Sequence, residues 1–133
     1  MFRIVKILNG RVNVPEPVKM PASASANYAF GDALKLSSGV LAQCAATDKP
    51  EYIAMESASG VSALLVAPVS SDMVFEVPVT AAPTSLKVGN KVTVGVVSSH
   101  ADAVTATTTD GVVTVFDLNN AKAAGDFILC RVV

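Results

Sequence analysis

Short runs of alternating apolar and polar residues, separated by turn-forming residues, are the feature that most constrains the fold of this chain. Val, Ile and Thr dominate these runs, and β-branched side chains favour strands. In segment 73–79, Phe75, Val77 and Val79 alternate with a glutamate and a proline, and a proline inside such a segment is typical of an edge strand or a β-bulge. About ten such segments recur with turn signals between them, which predicts an all-β fold: a compact β-barrel, β-tulip or sandwich.

Two dipeptides predict tight hairpins, because both central residues of a two-residue type I′ loop need positive φ. Asp110-Gly111 predicts a hairpin between 103–109 and 112–116. Asn9-Gly10 predicts an N-terminal hairpin whose apolar face has four residues. These are Val5, Ile7, Val12 and Val14.

A Gly-Asx pattern occurs three times, in segments 30–36, 88–94 and 124–130. Each copy has an apolar or small residue, Gly, then Asp or Asn, followed by residues typical of a strand. Glycine supplies a turn conformation, and the Asx side chain accepts a hydrogen bond from a nearby backbone amide. Ordinary turn chemistry accounts for the repeat, which predicts three turns that each begin a strand.

The segment between the N-terminal hairpin and the rest of the chain contains three prolines over 15–21, followed by an Ala/Ser-rich stretch. Such a composition predicts an extended arm over 15–29. We therefore divide the chain into a hairpin and arm (1–29), which we expect to reach a neighbouring subunit, and a β-barrel-like domain (30–133). Residues 117–124 are expected to form one helical turn.

Composition excludes several classes of function. The chain is 51% hydrophobic and 16% charged, and such sparse charge predicts association with other subunits. A net charge of −1 and 5% aromatic residues argue against a nucleic-acid partner. The most apolar run, 57–71, is shorter than a membrane span and contains a glycine and a proline, so we expect no membrane partner and synthesis in the cytoplasm.

Residues able to perform catalysis are few. His100 is the single histidine, and although 98–102 contains the residue types of a hydrolase triad, neighbours on one strand point to opposite faces; a polar loop is expected. Cys44 and Cys130 are predicted to be buried thiols, with a disulfide between them as the open alternative. Dispersed aspartates predict turn caps, so we expect a protein that is not an enzyme, with no cofactor or metal.

Residues 28–133 resemble the small decoration, or cement, proteins on the capsids of tailed bacteriophages. The resemblance rests on GDALKLSSG (31–39), VGNKVTV (88–94) and AGDFILCRVV (124–133). The N-terminal β segment and arm are similar to the base portion of phage head-fibre proteins.

This resemblance implies a β module on the capsid exterior of a virion, made in the host cytoplasm, with the major capsid protein and two further copies of itself (a homotrimer) as partners. A host-attachment or carbohydrate-binding module on the virion surface is the alternative. The N-terminal basic residues suit either a solvated face or an acidic partner. The residues expected to contact the capsid or partner are Phe2, Arg3, Lys6, Arg11 and Lys19.

Overall fold

The computed structural model describes residues 1–8 and 16–133, which contain fourteen β-strands and no helix. The predicted Asn9-Gly10 turn, Arg11, and the strand opposite it lie outside the described residues. The strands are β1 (Arg3–Ile7), β2 (Val18–Pro21), β3 (Asn27–Tyr28), β4 (Ala33–Ser37), β5 (Val40–Gln43), β6 (Tyr52–Ala54), β7 (Ala58–Ser59), β8 (Ala63–Pro68), β9 (Met73–Pro78), β10 (Lys91–Val92), β11 (Val94–Val97), β12 (His100–Val104), β13 (Val113–Asp117) and β14 (Phe127–Arg131).

The fold has two parts, which we call the first half and the second half. The first half is built on an antiparallel sheet with the strand order β1-β9-β14-β13-β10. The chain continues from β10 into β11, which pairs with β12. A parallel bridge between Val79, just after β9, and Val104, the last residue of β12, then joins β12 to the end of β9. These strands therefore curl into a nearly closed barrel around the larger of two apolar cores, which includes Phe75, Val92 and Ile128.

The second half is an antiparallel sheet with the order β2-β8-β6-β4-β5. A parallel bridge between Ala22 and Leu41 joins its two outer strands. Tyr28 lies in the smaller core inside, where its hydroxyl donates to the Leu41 carbonyl at 2.9 Å and accepts from the Ser23 N–H at 3.0 Å. Because a buried phenol needs a hydrogen-bond partner, these two bonds explain why a tyrosine fits at the closure.

Strands β4 and β6 form a wall shared by the two halves. Ala33 and Ile53 are paired across these strands and pack in the larger core. Their chain neighbours Leu34 and Ala54 pack in the smaller core. Successive side chains of a strand point to opposite faces, so strands buried on both faces join the halves. The predicted all-β, barrel-like fold is confirmed.

The N-terminal segment is integrated into the first half. Phe2 is 1% exposed, its ring meets Phe75 edge-on with centroids 5.9 Å apart, and its N–H donates to the Gly31 carbonyl at 2.8 Å. A β-bulge between Ile4 and Lys6 shifts the register against β9. Val5 is consequently exposed and does not share the buried side with Ile7, contrary to the predicted alternation.

The predicted arm lies along the body in this structure. Within the described residues 16–29, β2 pairs with β8 and β3 pairs with β7. Apolar and polar residues alternate only weakly in this segment, so its sequence does not predict strands. These strands depend on pairing with distant partners.

The three Gly-Asx turns are confirmed. Gly31, Gly89 and Gly125 have φ of 87°, 91° and 90°, in the region that glycine adopts without a steric penalty. Each following Asx residue accepts, through its side chain, the N–H of the residue three positions earlier at 2.8–3.0 Å. Strands β4, β10 and β14 start immediately after these turns. Ser38 and Gly39, both with positive φ, form the hairpin turn between β4 and β5.

The turn at Asp110 forms, but the strands beside it do not pair with each other. β12 pairs with β11, and β13 pairs with β10 and β14. The segment after β12 stays attached to β11's side of the barrel, because Thr93 exchanges backbone hydrogen bonds with Thr105 and Thr107 at 3.0 and 3.1 Å. The predicted hairpin is wrong because β12 pairs with the strand that precedes it, β11, while β10 and β14 occupy the two edges of β13.

Two further expectations need correction. β9 is an interior strand, and Pro78 is tolerated there because β1 pairs no further along β9 than Glu76. Residues 118–124 form turns in which Asn119 and Asn120 have positive φ, in place of the helical turn predicted over 117–124.

Candidate functional site

The predicted contact residues do not all reach the surface. Arg3, Lys6 and Lys19 are exposed, whereas Phe2 is buried in the larger core. An Arg3 guanidinium nitrogen lies 2.8 Å from Glu76 Oε1. Within the described part of the chain, Lys6 and Lys19 have no ion-pair partner. Phe2 thus anchors the N-terminus, while the two lysines present uncompensated charge.

Three exposed apolar side chains lie in or next to the N-terminal strand that contains Arg3 and Lys6. Met1, Val5 and Phe30 are each 41–44% exposed, and the Met1 side chain lies directly over Gly31, beside Phe30. We define the N-terminal patch as Met1, Arg3, Val5, Lys6 and Phe30. Apolar groups next to positive charge are typical of a surface that binds an acidic protein partner.

A buried carboxylate lies where the two halves meet. Asp32 is 0% exposed, and its Oδ2 lies 2.8 Å from His100 Nδ1. The same oxygen accepts from Gln43 Nε2 at 2.6 Å and from the Ala29 N–H at 2.8 Å. Gln43 Oε1 in turn accepts the Ala101 N–H at 2.9 Å. One side-chain network therefore links β5, β12 and the turn before β4.

The Asp32–His100 pair has the geometry of the acid and base in a catalytic triad, but a triad also needs a nucleophile on the other ring nitrogen. In the described segments, His100 forms no hydrogen bond with a hydroxyl or thiol. Asp32 Oδ1 is also buried without a partner there. The bonded atoms of the network join β12 of the first half to β5 and the turn before β4 in the second half, and bonded polar groups of this kind help to fix a unique packing.

Sequence reasoning missed this pair. Residues 98–102 were expected to be a polar loop, but Ser98 and Ser99 alone form the turn, with φ of 50° and 70°, and His100 already belongs to β12. The Gly-Asp turn was a local signal for Asp32. No local signal connects it to a histidine 68 positions away.

Both cysteines are free and buried in the larger core. The prediction of buried thiols is therefore confirmed, and the alternative, a disulfide between them, is not formed. Burial raises the pKa of the Cys130 thiol to about 12. Burial, reinforced by the nearby Asp48 carboxylate, also raises the pKa of Cys44 to about 12. At neutral pH both are protonated packing groups, since the thiolate is the reactive form.

A cavity of about 360 Å³ opens on the outer side of the first half. It lies between β9, the 119–121 turn and the start of β14. Phe127 is 47% exposed there. The polar groups that line it are Glu76, Asn119, Asn120 and Asp126.

No group of three or more His, Cys, Asp or Glu side chains within the described ranges is arranged to hold a metal ion. Over the same ranges, none of the chain forms a helix long and apolar enough to cross a membrane. A scan against protein-family models finds no matching family, and a search of curated proteins finds no match to this chain.

Proposed function

We propose that this chain is a non-enzymatic structural protein that binds the outside of a tailed-bacteriophage capsid and stabilises it, as a decoration protein or the base of a head fibre. The observation that supports this most is the N-terminal patch, which combines Lys6 with three exposed apolar side chains. Lys19 adds a second uncompensated charge. The β1 and β2 strands that contain these lysines occupy outer positions of the two large sheets.

The proposed partner is an acidic surface of the major capsid protein. Lys6 and Lys19 have no ion pair within residues 1–8 and 16–133. A carboxylate of the partner would therefore displace only water from their ammonium groups. Rim charges of this type accelerate association, and Met1, Val5 and Phe30 of the N-terminal patch are exposed and supply apolar area that can be buried. Arg3 is partly neutralised by Glu76 and contributes less.

Self-association, as a homotrimer, is the second part of the proposal. The accessible surface of the chain is 6640 Å², close to the roughly 6,600 Å² expected of a compact folded monomer of this mass. A trimer would therefore join finished subunits rather than complete an open core. Multivalent attachment strengthens binding without requiring any single strong contact, and light scattering of the purified protein measures the number of copies.

The sharpest test of capsid binding uses point substitutions, since removing residues 1–27 would also remove Phe2 and β2 from the two halves. We compare Lys6→Glu/Lys19→Glu with the matched control Lys49→Glu/Lys87→Glu, which makes the same change of charge at exposed sites elsewhere. The measurement is co-sedimentation with undecorated heads of the virus whose genome encodes the chain.

We expect wild type and control to sediment with the heads, and the N-terminal variant to bind at least about tenfold more weakly. Equal binding of both variants would contradict the role of the lysines. Failure of the wild-type protein to sediment with the heads would contradict the proposed function itself.

A further inference from the structure

The cavity beside Phe127 combines an exposed aromatic ring with polar groups that retain hydrogen-bonding capacity. Asn119 and Asn120 use no side-chain atom in a hydrogen bond within the described ranges. Asp126 bonds the Lys122 and Ala123 N–H groups through Oδ2 alone. Glu76 bonds Arg3 through Oε1 alone. Two amides and two carboxylate oxygens are therefore free to bind a ligand.

Hydrogen bonds within the protein hold the backbone that lines the cavity in place without a ligand. The Asn119 N–H donates to Asp117 Oδ1 at 2.8 Å, and the Lys122 N–H donates to Asp126 Oδ2 at 2.8 Å. Asn119 and Asn120 have φ of 50° and 58°, a conformation that asparagine tolerates better than most residues. Binding to a preorganised site loses less conformational entropy.

We propose that this cavity is a binding site for a neutral pyranose sugar, free or at the end of a glycan. The apolar C–H face of such a ring would lie on Phe127. Its neighbouring hydroxyl groups, which both donate and accept, would bond the amides of Asn119 and Asn120 and the free oxygens of Asp126 and Glu76. A few placed polar groups beside an apolar surface are typical of small-molecule sites.

Size and charge narrow the class of sugar. The volume of about 360 Å³ lies at the lower end of the roughly 300–1,000 Å³ of such sites, which suits one or two sugar rings. The backbone N–H groups of Lys122 and Ala123 lower the pKa of Asp126, so its carboxylate is ionised at neutral pH. Sialic acid and uronic acids would meet like charge, which disfavours them. Glu76 of this site is ion-paired with Arg3 of the N-terminal patch, but no residue of that patch lines the cavity, and the proposed sugar binding does not depend on capsid binding.

The test is a two-dimensional NMR titration of the full-length protein with methyl glycosides of glucose, galactose, mannose and N-acetylglucosamine, and with sialic acid as the anionic comparator. We expect at least one neutral glycoside to shift the backbone amides of residues 119–127 in a saturable way. Sialic acid should bind at least about tenfold more weakly.

Two variants locate the binding. Phe127→Ala should weaken binding at least about tenfold, whereas Val88→Ala, at an apolar residue that is 64% exposed elsewhere, should not. Asn119→Gly/Asn120→Gly removes both amides but tolerates positive φ and should also weaken binding, with Ser38→Gly, at a φ of 51°, as its control.

Three results would overturn the proposal. One is no saturable shift with any neutral glycoside up to its solubility limit. Another is a shift centred outside residues 119–127, or one unchanged by Phe127→Ala. The third is a saturable shift of residues 119–127 with CaCl₂ or with sialic acid but with no neutral sugar. That result would make the cavity a site for an ion or an anionic ligand.

Discussion

The turns at Asp32 and Asp126 have the same local chemistry but different surroundings. In both, a glycine with φ near +90° precedes an aspartate that accepts the N–H of the residue three positions earlier. Asp32 is fully buried where the two halves meet and bonds Gln43 and His100. Asp126 lies on a cavity wall and bonds backbone alone.

This difference shows that the sequence motif specifies a turn, while the neighbouring strands decide what the carboxylate does. At Asp32 the turn positions a carboxyl group whose hydrogen bonds join the two halves of the molecule. At Asp126 the same turn leaves one carboxylate oxygen open to the surroundings. The following predictions test that contrast, starting with the largest expected effect.

Replacing Asp32 with alanine should destabilise the protein most. Asp32→Ala removes bonds to the Ala29 N–H, Gln43 and His100, and breaking a buried hydrogen-bonded pair costs about 3–5 kcal/mol. Urea denaturation of Asp32→Ala and of Asp126→Ala measures the contrast, and the second variant should lose clearly less stability. Equal losses would mean that the surroundings of the two turns do not matter.

Removing the partner histidine should have the next largest effect. His100 is 28% exposed at its side chain, so solvent screens part of the interaction, and we expect His100→Ala to lose about 1–3 kcal/mol. Asp102→Ala, on the same strand, is the control and should lose less. A double-mutant cycle with Asp32→Asn that shows no coupling would contradict the pairing.

Replacing the glycine with alanine should destabilise the protein more in the Asp32 turn than in the Asp126 turn. An alanine Cβ at position 31 would lie 2.3 Å from Met1 Cβ, while one at position 125 would meet nothing within 4 Å. Gly125→Ala should therefore cost only the backbone strain of positive φ, about 1–2 kcal/mol. Gly31→Ala adds displacement of Met1 and should cost more. Thermal unfolding of both variants measures this order, and the reverse order would contradict it.

The smallest effect is the pH dependence at Asp126. Hydrogen bonds from the Lys122 and Ala123 N–H groups lower its pKa below its ordinary value of 3.8. Such a group stabilises the fold above its unfolded-state pKa, and that contribution disappears as pH falls through the folded-state pKa. The stability difference between wild type and Asp126→Asn should therefore shrink below about pH 4. A difference that does not change with pH would argue against these bonds.

Much of the fold was predictable because its signals are local. The Gly-Asx turns, the Ser38-Gly39 turn and the alternation in β9 are each encoded within a few residues. The class of fold follows from them, since short strands with tight turns build antiparallel sheets.

What was not predictable depends on distant residues. β13 pairs with β10 and β14 and not with β12 across the Asp110 turn, and the bridges that close each half join residues that share no sequence signal. The Asp32–His100 pair joins residues 68 positions apart, and the cavity at Phe127 forms between Glu76 of β9 and the distant segment 119–127. Candidate contact residues were chosen from charge near the N-terminus, which located Lys6 and Lys19 at the surface but could not reveal that Phe2 is buried.

The most direct test of the proposed capsid attachment is hydrogen–deuterium exchange of the protein alone and bound to undecorated heads. We predict slower exchange in the bound state for residues 3–7 and 18–21, and unchanged exchange for residues 119–127. Protection confined to residues 119–127, or no protection at either place, would contradict attachment through β1 and β2.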